Sequence, residues 1–281
     1  MQKELKFTKM HGAGNDYIYV NCLDTPLADP EQVSIKVSHR RFGIGADGLV
    51  LILPSVGSDY AMRIFNADGS EAEMCGNAVR CIGKYLYERG ITDKDRISIE
   101  TKGGIKKLEL NVINGKVESV RVDMGEPILE GERIPVKIKR TPVLNEPFEI
   151  DGHKLLMNAI SVGNPHAIFF VEKITDELVL GIGPKIENHE LFPNRTNVSF
   201  VEVISPSEMR MRVWERGSGE TFACGTAAAA VLVAAVLTER TERAATIHLR
   251  GGDLQIEWAE DNHVYKTGPA AFVCDGIARL D

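Results

Sequence analysis

Two cysteines occupy equivalent places in a segment that the chain carries twice. Residues 62–78 (MRIFNADGSEAEMCGNA) and 211–227 (MRVWERGSGETFACGTA) align without a gap at an offset of 149, which places Cys75 over Cys224. An internal duplication that repeats a Cys-Gly dipeptide predicts two thiols presented face to face by two pseudo-symmetric halves. Inversion at a carbon needs this arrangement, because one group removes a proton from one face and another returns it to the opposite face.

Each of these cysteines is expected to stand directly before a helix. Apolar residues follow Cys75 at helical spacing as far as Glu88, and residues 225–237 are apolar almost all round, as is typical of a buried helix. A thiol at a helix N-terminus feels a partial positive charge that lowers its pKa from about 8.5 towards neutrality. The unpaired amides of the first turns, at Gly76-Asn77 and Gly225-Thr226, predict a carboxylate site beside each thiol. Donors of this kind stabilise a developing carbanion, so neither a metal nor an organic cofactor is predicted.

Several other features have ordinary structural interpretations. Cys22 and Cys81 lie in apolar surroundings without a repeat partner and are interpreted as small buried hydrophobes. The Gly-x-Gly-x-x-Gly pattern at 43–48 follows a helix and leads into a strand, which is the reverse of the context that a dinucleotide site needs. Asp68 and Glu71 are assigned to turn formation and support. A redox disulfide is disfavoured because there is no Cys-x-x-Cys, and the seven histidines show no metal-ligand spacing.

The elements that would position the thiols follow a similar order in both halves. The predicted helices cover residues 30–41, 76–88, 187–192 and 225–237. The predicted strands cover residues 5–8, 17–21, 49–53, 60–65, 97–101, 106–111, 117–124, 155–162, 197–203, 209–214, 246–249, 254–258 and 263–267.

This pattern predicts an α+β fold of two strand-rich, pseudo-symmetric domains, each with one central helix. Glycine and proline punctuate residues 125–131, which places the domain boundary there. The predicted domains are residues 1–127 and 128–269, and residues 270–281 are expected to pack back on the first domain.

Composition excludes several classes of partner. The net charge is −7 and no cluster of Lys and Arg is present, which argues against nucleic acid and anionic membranes. The opening MQKELKFTKMHG has no apolar signal core, and the longest apolar run, 227–237, has 11 residues, too few to span a bilayer. The five cysteines are interpreted as reduced thiols, so a cytoplasmic location is expected.

Five motifs together resemble the diaminopimelate epimerase family, in the family's order, from residue 5 to the C-terminus. They are KMHGAGNDY (9–17), RIFNADGSEAEMCGNAVRC (63–81), GNPH (163–166), RTNVSF (195–200) and WERGSGETFACGTAAAA (214–230). The resemblance implies cofactor-independent interconversion of LL- and meso-2,6-diaminopimelate, for lysine and peptidoglycan precursor synthesis. It also implies a homodimer and a barrel-like layer of strands around the central helix of each domain.

The resemblance also implies a role for each matching residue. Cys75 and Cys224 would be the two acid/base thiols, and Glu215 would bind the reacting amino group and, with His166, influence the protonation of the thiols. The other substrate-binding positions that it implies are Asn15, Asn66, Gly76, Asn77, Asn164, Asn197, Arg216, Gly225 and Thr226. A guanidinium and several amides suit a substrate with a charged group at each end.

Plainer interpretations and other functions stay open. Asparagines beside glycine are common turn formers, and Glu215 with Arg216 could form a surface ion pair. A racemase for another amino acid, such as proline, is one alternative, although proline racemases usually carry a histidine where this chain has Asn77. A binding module without turnover is the other, although binding needs no thiol. The two thiols could also oxidise to a regulatory disulfide.

Two positions depart from the family's usual pattern. Gly48 stands where some members have a glutamine that touches the substrate, so that contact is expected to be absent or supplied by the backbone. Cys274 stands where some members have a tyrosine associated with the dimer contact, so that contact is expected to differ here.

Overall fold

A computed structural model describes residues 4–280, which form two compact units. The N-terminal unit runs as far as Val122 and also includes the chain from Gly268 onwards, and the C-terminal unit spans Asp123–Thr267. Each unit contains one of the two cysteine segments.

Short strands make up most of both units. In chain order the strands are β1 (Glu4–Gly12), β2 (Asn15–Asn21), β3 (Gly48–Leu53), β4 (Tyr60–Asn66), β5 (Glu71–Ala72), β6 (Arg96–Thr101), β7 (Gly104–Ile113), β8 (Lys116–Asp123), β9 (Val143–Ile150), β10 (His153–Ser161), β11 (Pro165–Phe170), β12 (Asn197–Ser205), β13 (Glu208–Glu215), β14 (Gly219–Thr221), β15 (Ala244–Leu249), β16 (Gly252–Trp258), β17 (Val264–Gly268) and β18 (Ala271–Arg279). The helices are α1 (Pro30–Ser38), α2 (Gly76–Glu88), α3 (Gly183–Glu187) and α4 (Gly225–Leu237), with a π-helix over Glu177–Ile182 directly before α3.

The two units repeat one another strand by strand. In the N-terminal unit the paired order is β18-β1-β2-β3-β4-β6-β7-β8, with β2–β3 and β4–β6 parallel and the other pairs antiparallel. In the C-terminal unit the order is β9-β10-β11-β12-β13-β15-β16-β17, with β11–β12 and β13–β15 parallel. The parallel and antiparallel pairs fall at the same places, so the predicted duplication and the α+β class are confirmed.

The helix that follows each cysteine is the central element of its unit. Helix α2 packs against β1, β2 and β7, and α4 packs against β10, β11 and β16, which are the equivalent strands. On α2 one face is buried, with Val79, Ile82 and Leu86 fully inaccessible. Helix α4 is inaccessible on every side from Ala227 to Ala235. Both helices have the bounds that the sequence predicts. Among residues 4–280, no helix has the length and apolar character needed to cross a membrane.

Two helix predictions are wrong in their limits. The first helix stops at Ser38 rather than residue 41, because His39 adopts extended backbone at ψ 115° and the chain folds back, with Ile44 N donating to Val37 O at 2.9 Å. The helix expected over 187–192 lies earlier, in the turns that end at Glu187. Buried side chains spaced three and four apart within 178–186 set its inward face.

Besides the very short β5 and β14, three strands escape prediction for identifiable reasons. Strand β9 contains Pro147 and two glutamates, which are poor strand formers. Strand β11 is buried over its first five residues, so it shows no alternation of polar and apolar side chains. Strand β18 pairs with β1, which lies at the opposite end of the chain, so no local pattern of residues indicates the pairing.

Overpacking of α4 is expected to destabilise the C-terminal unit. Ala229 is fully inaccessible, so Ala229→Leu forces three extra carbons into a filled space. The expected cost is about 1–3 kcal/mol, and Tm should fall by about 2–4 °C for each kcal/mol, as measured by differential scanning calorimetry. Ala244→Leu, at an exposed position, is the matched control and should leave Tm unchanged. Equal Tm values for the two variants would contradict this packing.

Candidate active site

Both cysteines are N-cap residues with nearly the same backbone geometry. Cys75 precedes α2 at φ −134° and ψ 114°, and Cys224 precedes α4 at φ −121° and ψ 111°. Each cysteine carbonyl accepts the first helical hydrogen bond, from Val79 N at 3.0 Å and from Ala228 N at 3.1 Å. The first-turn amides therefore begin beside each thiol, as the sequence predicts.

An ion pair repeated in both units braces the segment that leads to each cysteine. Arg63 Nε donates to Glu71 Oε1 at 2.7 Å, and Arg212 Nε donates to Glu220 Oε1 at the same distance, 149 residues further on. In each unit a second basic side chain binds the other carboxylate oxygen. The Arg63 guanidinium is the main cause that lowers the pKa of Glu71 to about 2. Glu71 therefore supports the turn, which is the role expected of it.

Three of the predicted site residues, Cys75, Asn15 and Asn77, form one hydrogen-bonded cluster. The Cys75 thiol donates to Asn15 Oδ1 at 3.2 Å, and Asn77 Nδ2 donates to the same oxygen at 3.3 Å. Asn77 is buried at the start of α2, whereas Asn15 opens β2. The N-terminal unit thus offers a sulfur, an amide oxygen and an amide nitrogen at one point.

Tyr17 belongs to this cluster, although sequence reasoning omitted it. Its side chain is 6% exposed, and burial first, then the charge of the Cys75 thiolate, raise the pKa of its hydroxyl well above the usual value. Tyr17 lies two residues after Asn15 on β2, so the two side chains point to the same face of the strand. That spacing is the signal that could have identified it.

Cys224 has a carboxylate neighbour instead. The Cys224 Sγ lies 3.4 Å from Thr226 Oγ1, and Thr221 Oγ1 donates to Glu215 Oε1. Burial, followed by the negative charge of Glu215, raises the pKa of Cys224 well above its usual value. The hydrogen bonds from Thr226 and the Ala227 amide act in the opposite direction but are smaller. A lowered pKa was expected at this helix start. For Cys224 that expectation is wrong, because desolvation exceeds the effect of the helix terminus.

Asn197 fixes the backbone beside Glu215. Its Nδ2 donates to Pro165 O at 2.9 Å and its Oδ1 accepts from Arg216 N at 3.0 Å. The Arg216 side chain is exposed, and its Nη1 donates to Asn194 O at 3.1 Å. Asn197 therefore holds the turn that carries Arg216 and leaves most of the guanidinium accessible.

The His166 imidazole is neutral, and within residues 4–280 only one of its two ring nitrogens has a hydrogen-bond partner. Its Nε2 lies 2.8 Å from Asn164 Oδ1, and since an amide oxygen only accepts, Nε2 carries the hydrogen. The side chain is fully inaccessible, and within residues 4–280 its Nδ1 has no hydrogen-bond partner. Burial, with a smaller contribution from the charge of Arg216, lowers the pKa of His166 to about 3.

The lowered pKa of His166 predicts that the folded protein loses stability as the pH falls. Below pH 6.5 the unfolded chain protonates His166, whereas the folded chain stays neutral until about pH 3, so the free energy of unfolding falls as the pH is lowered through this range. Between pH 6.5 and pH 5 the expected loss is about 2 kcal/mol. In His166→Gln, whose amide can still donate to Asn164, urea unfolding should show a loss smaller by that amount.

His248 provides a control of opposite sign for this measurement. Its contacts with Asp253 and Glu208, at 2.8 and 2.7 Å, raise its pKa, so its contribution to stability is present below the unfolded pKa and is lost as the pH rises. His248→Gln should therefore lose stability on acidification more steeply than wild type. The assignment of neutral His166 is contradicted if His166→Gln retains the wild-type pH dependence.

Asn66 and Gly48 sit on paired strands at the edge of this region. Asn66 Nδ2 donates to Ser70 Oγ at 3.0 Å, and Asn66 ends β4 as Glu215 ends β13. A Cβ atom on Gly48 would lie 2.1 Å from Phe65 O, so this backbone accepts no side chain without shifting. A glutamine side chain at this position therefore has no room.

The structure thus brings the predicted residues into four local groups. These are Asn15 with Cys75, Gly76 and Asn77; Glu215 with Cys224, Gly225 and Thr226; Asn164 with His166; and Asn197 with Arg216. Asn66 binds Ser70, outside these groups.

Within residues 4–280, no group of three or more His, Cys, Asp or Glu side chains is arranged so that it could hold a metal ion.

All five cysteines are free. Cys22 and Cys81 are buried as predicted, and burial raises the pKa of Cys81 to about 11. Cys274 is exposed.

Comparison with known proteins gives a consistent result. A family model described as diaminopimelate epimerase matches residues 7–130 and 158–273. The chain is 58% identical over 278 residues to a diaminopimelate epimerase of Acetivibrio thermocellus, with 99% of each chain covered. It is 56% identical over 273 residues to one of Methanococcus maripaludis, covering 97% of this chain and 99% of the relative. In fold it is similar to a probable proline racemase of Agrobacterium radiobacter, with a TM-score of 0.73, 15% identity, and 99% and 93% of the two chains covered.

Proposed function

Because the chain belongs to the diaminopimelate epimerase family of isomerases, we propose that it interconverts LL- and meso-2,6-diaminopimelate with Cys75 and Cys224 as base and acid. The observation that supports these roles is the repeated N-cap geometry, which places one thiol at the start of the central helix of each unit. The reaction belongs to lysine and peptidoglycan precursor synthesis.

The chemistry requires two groups because the α-carbon inverts. One cysteine, as thiolate, removes the α-proton, and the other, as thiol, delivers a proton to the opposite face, so that the two exchange protonation states in each turnover. The first-turn amides of Gly76-Asn77 and Gly225-Thr226 hold the α-carboxylate and stabilise the charge that develops on it. No organic cofactor or metal takes part in this proposal.

Glu215 links substrate binding to the protonation of Cys224. In the free protein its charge helps to raise the pKa of Cys224. A substrate ammonium group bound to Glu215 would neutralise that effect and make the proton of Cys224 easier to transfer. His166 contributes as a neutral imidazole, since its pKa of about 3 keeps it uncharged at the working pH.

The remaining residues suit the distal amino acid end of diaminopimelate, a substrate with charged groups at both ends. Arg216 is exposed, so its guanidinium can pair with the distal carboxylate, while Asn66, Asn164 and Asn197 bind or position the polar groups. Proline has no second charged end, which disfavours the racemase alternative. A binding module would not need two thiols.

The assembly and location of the protein complete the proposal. We take the protein to be a homodimer that works in the cytoplasm on a small-molecule substrate, and not on nucleic acid or membranes. We place the junction of its two repeats near residue 127.

A substrate comparison tests the proposed function. Purified protein under reductant is incubated with LL-diaminopimelate, L-lysine or L-proline, and the stereoisomers are separated by chiral chromatography. Only diaminopimelate should invert, because L-lysine matches it except for the distal carboxylate that Arg216 would bind. Turnover of proline without turnover of diaminopimelate would overturn the proposal.

A further inference from the structure

The amide of Asn15 is oriented by the carboxylate of a neighbouring side chain. Asn15 Nδ2 donates to Asp47 Oδ2 at 2.7 Å, and since a carboxylate only accepts, the amide nitrogen must face Asp47. The amide oxygen must then face Cys75, whose Sγ lies 3.2 Å away. Asp47 is itself held by Arg40 Nη2 at 2.8 Å and by the Asp16 amide at 3.1 Å.

Arg80 orients the amide of Asn77 in the converse way. A guanidinium only donates, and Arg80 Nη1 lies 3.0 Å from Asn77 Oδ1, so the amide nitrogen of Asn77 must turn towards Asn15. Arg80 is fully inaccessible, and its other bonds go to the carbonyls of Gly76 and Pro269. Within residues 4–280 no carboxylate pairs with it, and its Nη2 has no partner. Burying an unpaired guanidinium is costly, so its position at this helix calls for an explanation.

We propose that Asp47 and Arg80 are positioning residues that set the amide orientations of Asn15 and Asn77 and thereby the protonation of Cys75. This inference rests on the proposed function of the two asparagines and of the thiol. Neither Asp47 nor Arg80 forms a hydrogen bond with the sulfur, and each binds one asparagine. The Arg80 guanidinium also interacts with Cys75 through its charge.

The orientation of Asn15 has a defined effect on the sulfur. An amide oxygen accepts the S–H of a thiol, whereas the same oxygen beside a thiolate is repulsive, so Asn15 presents to the sulfur the acceptor that suits a thiol. Without Asp47 the amide can turn and offer its NH₂ group to the sulfur, which favours the thiolate. The other titratable groups around Cys75 are Tyr17, Tyr19, Arg80 and Cys81. Of these, Tyr17 feels the charge of Asp47, which helps to raise the pKa of its hydroxyl.

A double-mutant cycle distinguishes an effect of Asp47 that passes through Asn15 from a direct effect of its charge on Cys75. The proteins are wild type, Asp47→Asn, Asn15→Ala and the double variant, and the measurement is the rate of iodoacetamide alkylation of Cys75 against pH, read by peptide mass spectrometry. Alkylation of Cys224 in the same samples is the internal reference. We expect Asp47→Asn to shift the Cys75 profile to lower pH by about one unit, and to cause no further shift once Asn15 is alanine.

Two further variants serve as controls. Arg40→Gln removes the exposed cation on the other oxygen of Asp47 and should leave the Cys75 profile in place. Arg80→Lys keeps a cation that only donates and should retain kcat, whereas Arg80→Met should lower kcat about tenfold with little change in KM.

The result that overturns the proposal is equally specific. It fails if Asp47→Asn shifts the profile equally with and without Asn15, because Asp47 would then act through charge alone. It also fails if no shift occurs in either background. Alkylation needs no turnover, so failure of the wild-type protein to epimerise diaminopimelate would count against the proposed function and not against this positioning.

Discussion

Cys75→Ala and Cys224→Ala are each expected to abolish epimerisation, with kcat for LL-diaminopimelate lowered by about 10³-fold or more. Each variant lacks one of the two groups that exchange a proton with the α-carbon. Near Cys75 the groups are amides, two buried phenols, the buried thiol of Cys81 and a guanidinium, none of which exchanges a proton readily near neutral pH.

Binding should survive in both variants. The first-turn amides and Glu215 are retained, so calorimetric titration should give a dissociation constant for diaminopimelate close to that of wild type. Cys274→Ala, at an exposed cysteine outside the proposed site, is the matched control and should retain full activity. Inversion at near wild-type rates by either site variant would remove that cysteine from the mechanism.

Glu215→Gln is expected to lower kcat/KM for diaminopimelate by about 10²-fold, since a hydrogen bond to a charged group contributes about 1.5–3 kcal/mol. The same substitution should shift the alkylation profile of Cys224 to lower pH, because the charge that helps to raise its pKa is gone. Steady-state kinetics and alkylation of the free protein measure the two effects separately.

The control for Glu215 lies at the other end of the same strand. Glu208→Gln removes a carboxylate that pairs with His248 and should leave both the kinetics and the Cys224 profile unchanged. The proposed role of Glu215 is contradicted if Glu215→Gln keeps the wild-type kcat/KM, or if Cys224 then becomes harder to alkylate.

The helix starts could be predicted from the sequence because the gapless repeat fixes the register. The offset of 149 that superposes the two cysteines also superposes α2 on α4 and the Arg63–Glu71 pair on Arg212–Glu220. Strand β18 could not be placed, since its partner β1 begins at residue 4 and no local pattern reports a pairing across the whole chain.

The protonation states of the site residues could not be predicted from the sequence, for a different reason. The pKa of Cys224 depends on how completely α4 is buried and on the approach of Glu215, both of which are tertiary facts. The orientation of Asn15 likewise depends on Asp47, 32 residues away in the chain. A motif identifies the asparagine and leaves open which end of its amide faces the sulfur.

Isotope partitioning in deuterated water tests the two-thiol mechanism most directly. LL-diaminopimelate is incubated with the reduced protein, and product and recovered substrate are analysed by mass spectrometry at low conversion. Transfer through two separate thiols predicts that meso product carries one deuterium at the inverted carbon while recovered LL-diaminopimelate carries none. Deuterium entering the recovered substrate as fast as the product, or meso product that keeps its original α-hydrogen, would contradict it.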